Sequence, residues 1–344
     1  MLISEARAIA RQWVRDEGSR VPGFWGAFFH GSTGWLPGDA ALPATSDVDV
    51  MVVLDAADPP GKPGKFRYGG MLLEVSYLSR DQVRSPEQVL GQSHLAGSFR
   101  TPSVIADPTG ELTSLQAVVA RNFAGRVWVH RRCEAVQTKL VGNLQSLHET
   151  RPFHENVSAW LFGTGLTTHL LLVAGLRNPT VRRRYVAVRE LLRDYNRAAF
   201  YPTLLELLGC ADMSRDRALQ HLAALTEAFD AASAVVKTPF FFASDLSQAA
   251  RPIAIDGSRD LIARGDQREA VFWLVATYAR CQQVFQHDAP ALLERFRPGF
   301  ARLLADLGIT SLADMRRRGA EVEAFLPQLW AEAEAIMAAN PDIK

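Results

Sequence analysis

The sequence predicts an α+β protein: a small mixed-sheet domain over residues 1–123, followed by an all-helical domain over 124–344. Two observations lead there. Short β-branched and aromatic runs, FWGAFF (24–29), DVDVMVVL (47–54) and MLLEVSYL (71–78), occur only in the first part of the chain. Beyond about residue 112 they give way to apolar residues recurring at helical spacing. A third observation bounds both: 344 residues suffice for two domains that each bury a core.

Taken in order, Leu2, Ala6, Ile9, Ala10, Trp13 and Val14 share one helical face, and Val21-Pro22-Gly23 ends that helix. FWGAFF reads as the first strand. Gly31 to Thr45, with three glycines and two prolines, is loop. DVDVMVVL is the second strand. The segment ADPPGKPGKFRYGG reads as a connection that turns the chain back, so MLLEVSYL becomes the antiparallel partner of the second strand. Ser85-Pro86 has the chemistry of a helix start, a capping hydroxyl followed by proline at the first position. Val104 to Ala106 adds an edge strand, and a helix follows the turn at 107–110. Residues 126–149, 153–175, 180–197, 214–236, 266–286, 288–306 and 319–338 are then expected as helices.

Composition narrows the function classes. Charged residues make up 22% of the chain and the formal net charge is +1, so no global field favours a nucleic acid or an anionic membrane. No apolar run reads as a membrane span. Cys133, Cys210 and Cys281 are scattered without a CxxC pair, which argues against a disulfide framework or a zinc site and suits a reducing cytoplasm. A cytoplasmic location is expected.

The chemistry gathers at the start of the second strand. Successive side chains on a strand alternate faces, so Asp47 and Asp49 project from one face, followed on it by Met51 and Val53. Two neighbouring carboxylates repel, and each is costly to desolvate alone. A divalent cation relieves both costs, and magnesium commonly joins one or two carboxylates to substrate phosphates. Glu74 is an ionisable residue inside the apolar strand 71–78 and can face the same side, so three carboxylates could hold one or two ions. Upstream, Gly31-Ser32 lets the backbone approach a phosphate closely and offers a hydroxyl donor.

The pattern GS…SDVDV followed by LLEVSYL resembles the nucleotidyltransferase superfamily that includes DNA polymerase β. It is most similar to the bacterial aminoglycoside and other antibiotic nucleotidyltransferases. The resemblance covers about residues 28–78 and, more loosely, extends to 123. It implies that Gly31 and Ser32 contact the nucleotide phosphates, with Ser46 as a further nucleotide-binding candidate. It implies that Asp47 and Asp49 bind Mg²⁺, two ions being expected, and that Glu74 completes the metal site or acts as base toward an acceptor hydroxyl. The expected reaction is transfer of a nucleoside monophosphate, AMP from ATP by default, to a hydroxyl of a small molecule such as an antibiotic. Alternatives are modification of a protein or tRNA, or a non-catalytic nucleotide-binding module. The acceptor is expected between the sheet domain and the helices.

The segment RNPTVRRRYVAVRELLRDYNR holds seven arginines between 177 and 197. Arg182, Arg189, Arg193 and Arg197 recur at helix-like spacing, as a solvated face or an electropositive wall toward a polyanion. Glu269 is a candidate acceptor contact. His154, His169, His221 and His287 lack metal-ligand spacing and read as structural or surface residues.

Overall fold

The computed structural model describes all residues, Met1 to Lys344. The chain is α+β. Strands β1 (Phe24–His30), β2 (Val48–Leu54), β3 (Gly64–Tyr68), β4 (Met71–Ser79) and β5 (Val104–Ala106) form one mixed sheet in the order β3-β4-β2-β1-β5. Both faces of the sheet are covered. Val48, Val50, Val52 and Leu54 pack toward helix α1 (Ile3–Asp16) through Ala6, Ala10, Trp13 and Val14. Phe28, Val53 and Leu78 pack on the other face with helices α2 (Pro86–Leu90), α3 (Ser93–Phe99) and α4 (Glu111–Asn122).

One strand relation differs from the sequence expectation. The β2–β4 pair is parallel, not antiparallel, because β3 intervenes as a strand of its own. The chain leaves β2, forms the edge strand β3, turns at Gly69-Gly70 and returns as β4 between the two. Both glycines have positive φ, +55° and +81°, as the tight two-residue hairpin from Tyr68 to Met71 requires. Smaller differences have local causes. Leu2 is the N-cap of α1 and exposed, and Ile3 takes its place in the core. The capping oxygen of Ser85 accepts from Gln88 N at 3.2 Å, as its sequence suggests.

The chain forms two compact units. One comprises Met1–Arg132, Pro239–Ile253 and Asp342–Lys344, and the other Cys133–Thr238 and Ala254–Pro341. The last residues belong to the first unit through a short backbone pairing. Arg126 N donates to Lys344 O at 2.7 Å, and Lys344 N to Ala124 O at 3.1 Å. The strap 239–253 interrupts the second unit in sequence and brings an acidic residue, Asp245, to the sheet.

The helices after α5 (Arg126–Gln145) are α6 (Phe153–Ala174), α7 (Arg184–Asp194), α8 (Tyr201–Leu208), α9 (Arg215–Val235), α10 (Gly257–Ala263), α11 (Gln267–Asp288), α12 (Pro290–Ala305) and α13 (Leu312–Ala339). Helices α8 and α10 were not expected, being too short to establish a period. Helix α13 starts well before residue 319, at a capping box formed by Ser311 and Asp314. Helix α6 is long and apolar enough to cross a membrane by composition, contrary to the sequence reading, and 78% of its apolar window is buried inside the protein. That burial accounts for its composition, since a helix apolar all round suits a protein core.

Candidate metal and phosphate site

Four adjacent strands place a row of ionisable side chains across the sheet. Lys65 on β3 pairs with Glu74 on β4, Glu74 with Asp49 on β2, and Asp49 with His30 on β1. Asp47 precedes β2 by one residue, with the parity of Asp49. One oxygen each from Asp47, Asp49 and Glu74 lies within 4.8 Å of the others. The three carboxylates expected from the sequence are therefore brought together, even though β4 runs opposite to the expected direction. Parity on a strand does not depend on the direction of its partner.

Gly31 has a specific steric role. Its φ is +63°, and a Cβ there would lie 2.0 Å from Asp49 Oδ2. Only glycine lets the carboxylate lie against the turn that follows β1. Ser32 opens that turn, a short 3₁₀ segment from Ser32 to Gly34. Ser46 is half-buried just before the aspartates, where its N–H donates to Pro43 O at 3.0 Å. Neither serine hydroxyl takes part in the hydrogen bonds of the carboxylate cluster. His30 Nδ1 lies 2.7 Å from Ser98 Oγ on α3. Burial and neighbouring His94 lower its pKa to about 4, against a partial lift from Glu74, so the ring is neutral at physiological pH.

Three groups of the site went unread in the sequence. Lys65 Nζ lies 2.9 Å from Asp47 Oδ2 and 3.0 Å from Asp245 Oδ1, and it also bonds Glu74 Oε2. Lys62 Nζ donates to the other Glu74 oxygen at 2.7 Å. Asp245 arrives on the strap 239–253. The strap approaches β3 so closely that a Cβ on Gly64 would fall 2.2 Å from Ser244 Oγ, and the φ of Gly64 is +73°. A signal for Lys65 existed: the Gly69-Gly70 hairpin places it on a strand facing Glu74. Nothing in the sequence pointed to Asp245, which depends on a tertiary contact.

The electrostatics divide the carboxylates. Burial works to raise the pKa of Glu74, but the ammonium groups of Lys65 and Lys62 and their hydrogen bonds outweigh it and hold the carboxyl at about 2. Asp49 moves the other way. Burial, followed by the charges of Asp47 and Glu74, pushes it well above the ordinary carboxylate range, and Lys65 offsets this only in part. Asp49 thus carries an uncompensated cost that a cation would relieve. An all-oxygen donor set with no sulfur and no imidazole fits a hard ion such as Mg²⁺ or Mn²⁺.

Other candidates lie away from this cluster. Glu269 is 1% exposed and accepts from Arg189 at 2.6 Å and Tyr201 at 2.7 Å, an internal network. Of the arginines in 177–197, Arg189 also binds Asp266, Arg197 binds Glu332, Arg177 binds Asp194, and Arg184 is buried. His154 is buried, His169 contacts Thr180 O, and His221 lies 2.6 Å from Asp306 Oδ2, so these three are structural. A cavity of about 500 Å³ lined by Trp25, Asp55, Arg80 and Glu111 lies at the far end of β2 and shares no residue with the cluster. No protein-family model and no curated protein matches the chain.

Proposed function

We propose that the protein is a Mg²⁺-dependent nucleotidyltransferase. It transfers a nucleoside monophosphate, AMP from ATP as the default donor, to a hydroxyl of a small molecule such as an antibiotic, with pyrophosphate as leaving group. The observation that carries this reading is the convergence of Asp47, Asp49 and Glu74 beside the glycine turn at Gly31-Ser32. On this reading Asp47 and Asp49 hold Mg²⁺, with Glu74 completing the acidic wall. Bound Mg²⁺ would supply charge neutralisation on the phosphates and a lowered pKa at the acceptor hydroxyl. On this reading the turn after the positive-φ Gly31 would offer backbone N–H groups and the Ser32 hydroxyl to a phosphate.

Of the two roles open to Glu74, ligand and base, the base role is disfavoured. Its two oxygens are engaged by Lys62 and Lys65, and a carboxyl held at about 2 has little driving force to take a proton from a hydroxyl. A macromolecular acceptor is disfavoured by one observation: the arginines it would use on 177–197 are largely paired or buried.

The test is pyrophosphate release from ATP and Mg²⁺ across a panel of hydroxyl-bearing antibiotics. Release that needs one of them, and that fails in Asp47→Asn, supports the reading. ATP binding without turnover under any acceptor, or release only with a protein or tRNA acceptor, would replace it with one of the alternatives.

A further inference from the structure

The proposed reaction leaves Lys65 unused, although it is the most heavily engaged cation of the site. Its side chain is 9% exposed, and its ammonium touches Asp47, Glu74 and Asp245 together. Lys62 takes the remaining Glu74 oxygen. Asp49 is the one carboxylate of the cluster without a direct ammonium contact.

From these contacts we propose that Lys65 is a built-in cation of the site. It keeps its place among Asp47, Glu74 and Asp245 when metal is bound, so the site takes one divalent ion, at Asp47 and Asp49, where the sequence suggested two. This rests on the metal-dependent reading given above. Charge balance is the first argument. Four carboxylates, Asp47, Asp49, Glu74 and Asp245, face the two ammonium groups of Lys62 and Lys65, and the remaining two negative charges match a single divalent cation. In the nucleotide-free protein a second divalent ion would leave excess positive charge in a poorly solvated place.

Geometry is the second argument. Paired metal ions sit about 3.5–4 Å apart and share carboxylates. Lys65 already occupies the Asp47 and Glu74 oxygens that a second ion would need. Attachment is the third. Lys65 is held opposite Glu74 by the β3–β4 ladder, and the strap that supplies Asp245 closes on β3 at Gly64, where Ser244 leaves no room for a side chain. Lys65 is therefore a charge-balancing residue, and Asp245 is the group that fixes its position.

The test counts Mn²⁺, used in place of Mg²⁺, bound to the full chain by electron paramagnetic resonance. Wild type is expected to bind one Mn²⁺ per chain with the spectrum of an isolated ion. Lys65→Met is expected to bind two with a spin-coupled spectrum, and Lys65→Arg to stay at one. Two coupled ions in wild type would overturn the inference and leave the nucleotidyltransferase reading standing, as would Lys65→Met behaving like wild type. No Mn²⁺ binding in any of the proteins would overturn both. Should Lys65→Met fail to fold, Asp245→Asn carries the test. One carboxylate fewer against the same ammonium is expected to weaken Mn²⁺ binding about tenfold with the count still one, and unchanged affinity overturns the inference.

Discussion

Asp49 and Glu74 stand opposite one another in the parallel register of β2 and β4, yet their carboxyl groups are held in opposite electrostatic states. Glu74 faces two ammonium groups and stays ionised. Asp49 is pushed toward its protonated form by burial and, after that, by two like charges. The pair explains why this face of the sheet would respond to a divalent cation.

The first prediction concerns Asp49. A carboxyl whose folded pKa is raised contributes stability below its unfolded value, and that contribution is lost as pH rises through the folded one. At neutral pH the fold therefore carries a penalty that a cation at Asp49 removes. Mg²⁺ should raise the melting temperature at about pH 8 and much less at about pH 5. Differential scanning fluorimetry across pH reads this, and an Mg²⁺ effect that grows on acidification would refute it.

Glu74 gives the reverse dependence. Its folded pKa is lowered from 4.5 to about 2, so its stabilisation is present above 4.5 and is lost as pH falls toward 2. Glu74→Gln should cost about 3 kcal/mol at neutral pH, because Lys62 loses its counter-charge and Lys65 loses one of three. It should also flatten the acid limb of the stability profile. Urea midpoints of both proteins as a function of pH test the two together.

Gly31→Ala should damage the site more than its size suggests. The new Cβ would fall on Asp49 Oδ2, in a backbone conformation that disfavours side chains. A loss of about 1–3 kcal/mol is expected, together with weakened metal-dependent nucleotide binding. Ser32→Ala, at the next position, should leave stability near wild type. Equal stability of wild type and Gly31→Ala in urea would show that the turn yields.

Arg184 offers a prediction in the second unit. The guanidinium is buried against Phe272 at 3.8 Å, one of its nitrogens has no partner, and burial lowers its pKa to about 9. A buried cation without a counter-charge is worse than an apolar group of similar volume. Arg184→Met should therefore raise stability by about 1 kcal/mol. A clear loss instead would mean that the ring contacts with Phe162 and Phe272 and the bond from Nε to Val181 O outweigh the missing counter-charge.

Much of this was legible in the sequence, for reasons that show where such reading stops. Asp47, Asp49 and Glu74 could be placed on one face because strand parity is fixed locally. Strand direction is a topological property, and the β2–β4 pair was misread because a Pro/Gly-rich connection hides a five-residue strand. The Gly69-Gly70 hairpin signal and the alternation of Phe66 and Tyr68 toward the core were both present. Asp245 lies far along the chain from the sheet, and no periodicity or motif connects it to Lys65. Charge counts carried only part of the way at 177–197: Arg193 is exposed, as a solvated face requires, but Arg189 is bound to Glu269 and Asp266 and Arg197 to Glu332.

The central claim is that Asp47 and Asp49 hold a divalent cation that brings a nucleoside triphosphate to the glycine turn. Calorimetric titration of ATP into the protein, with and without Mg²⁺, on wild type and on the double variant Asp47→Ala/Asp49→Ala, tests it most directly. Binding of one ATP that requires Mg²⁺ and disappears in the double variant is the predicted result. Binding of equal strength without Mg²⁺, or retained in a folded double variant, would contradict the claim.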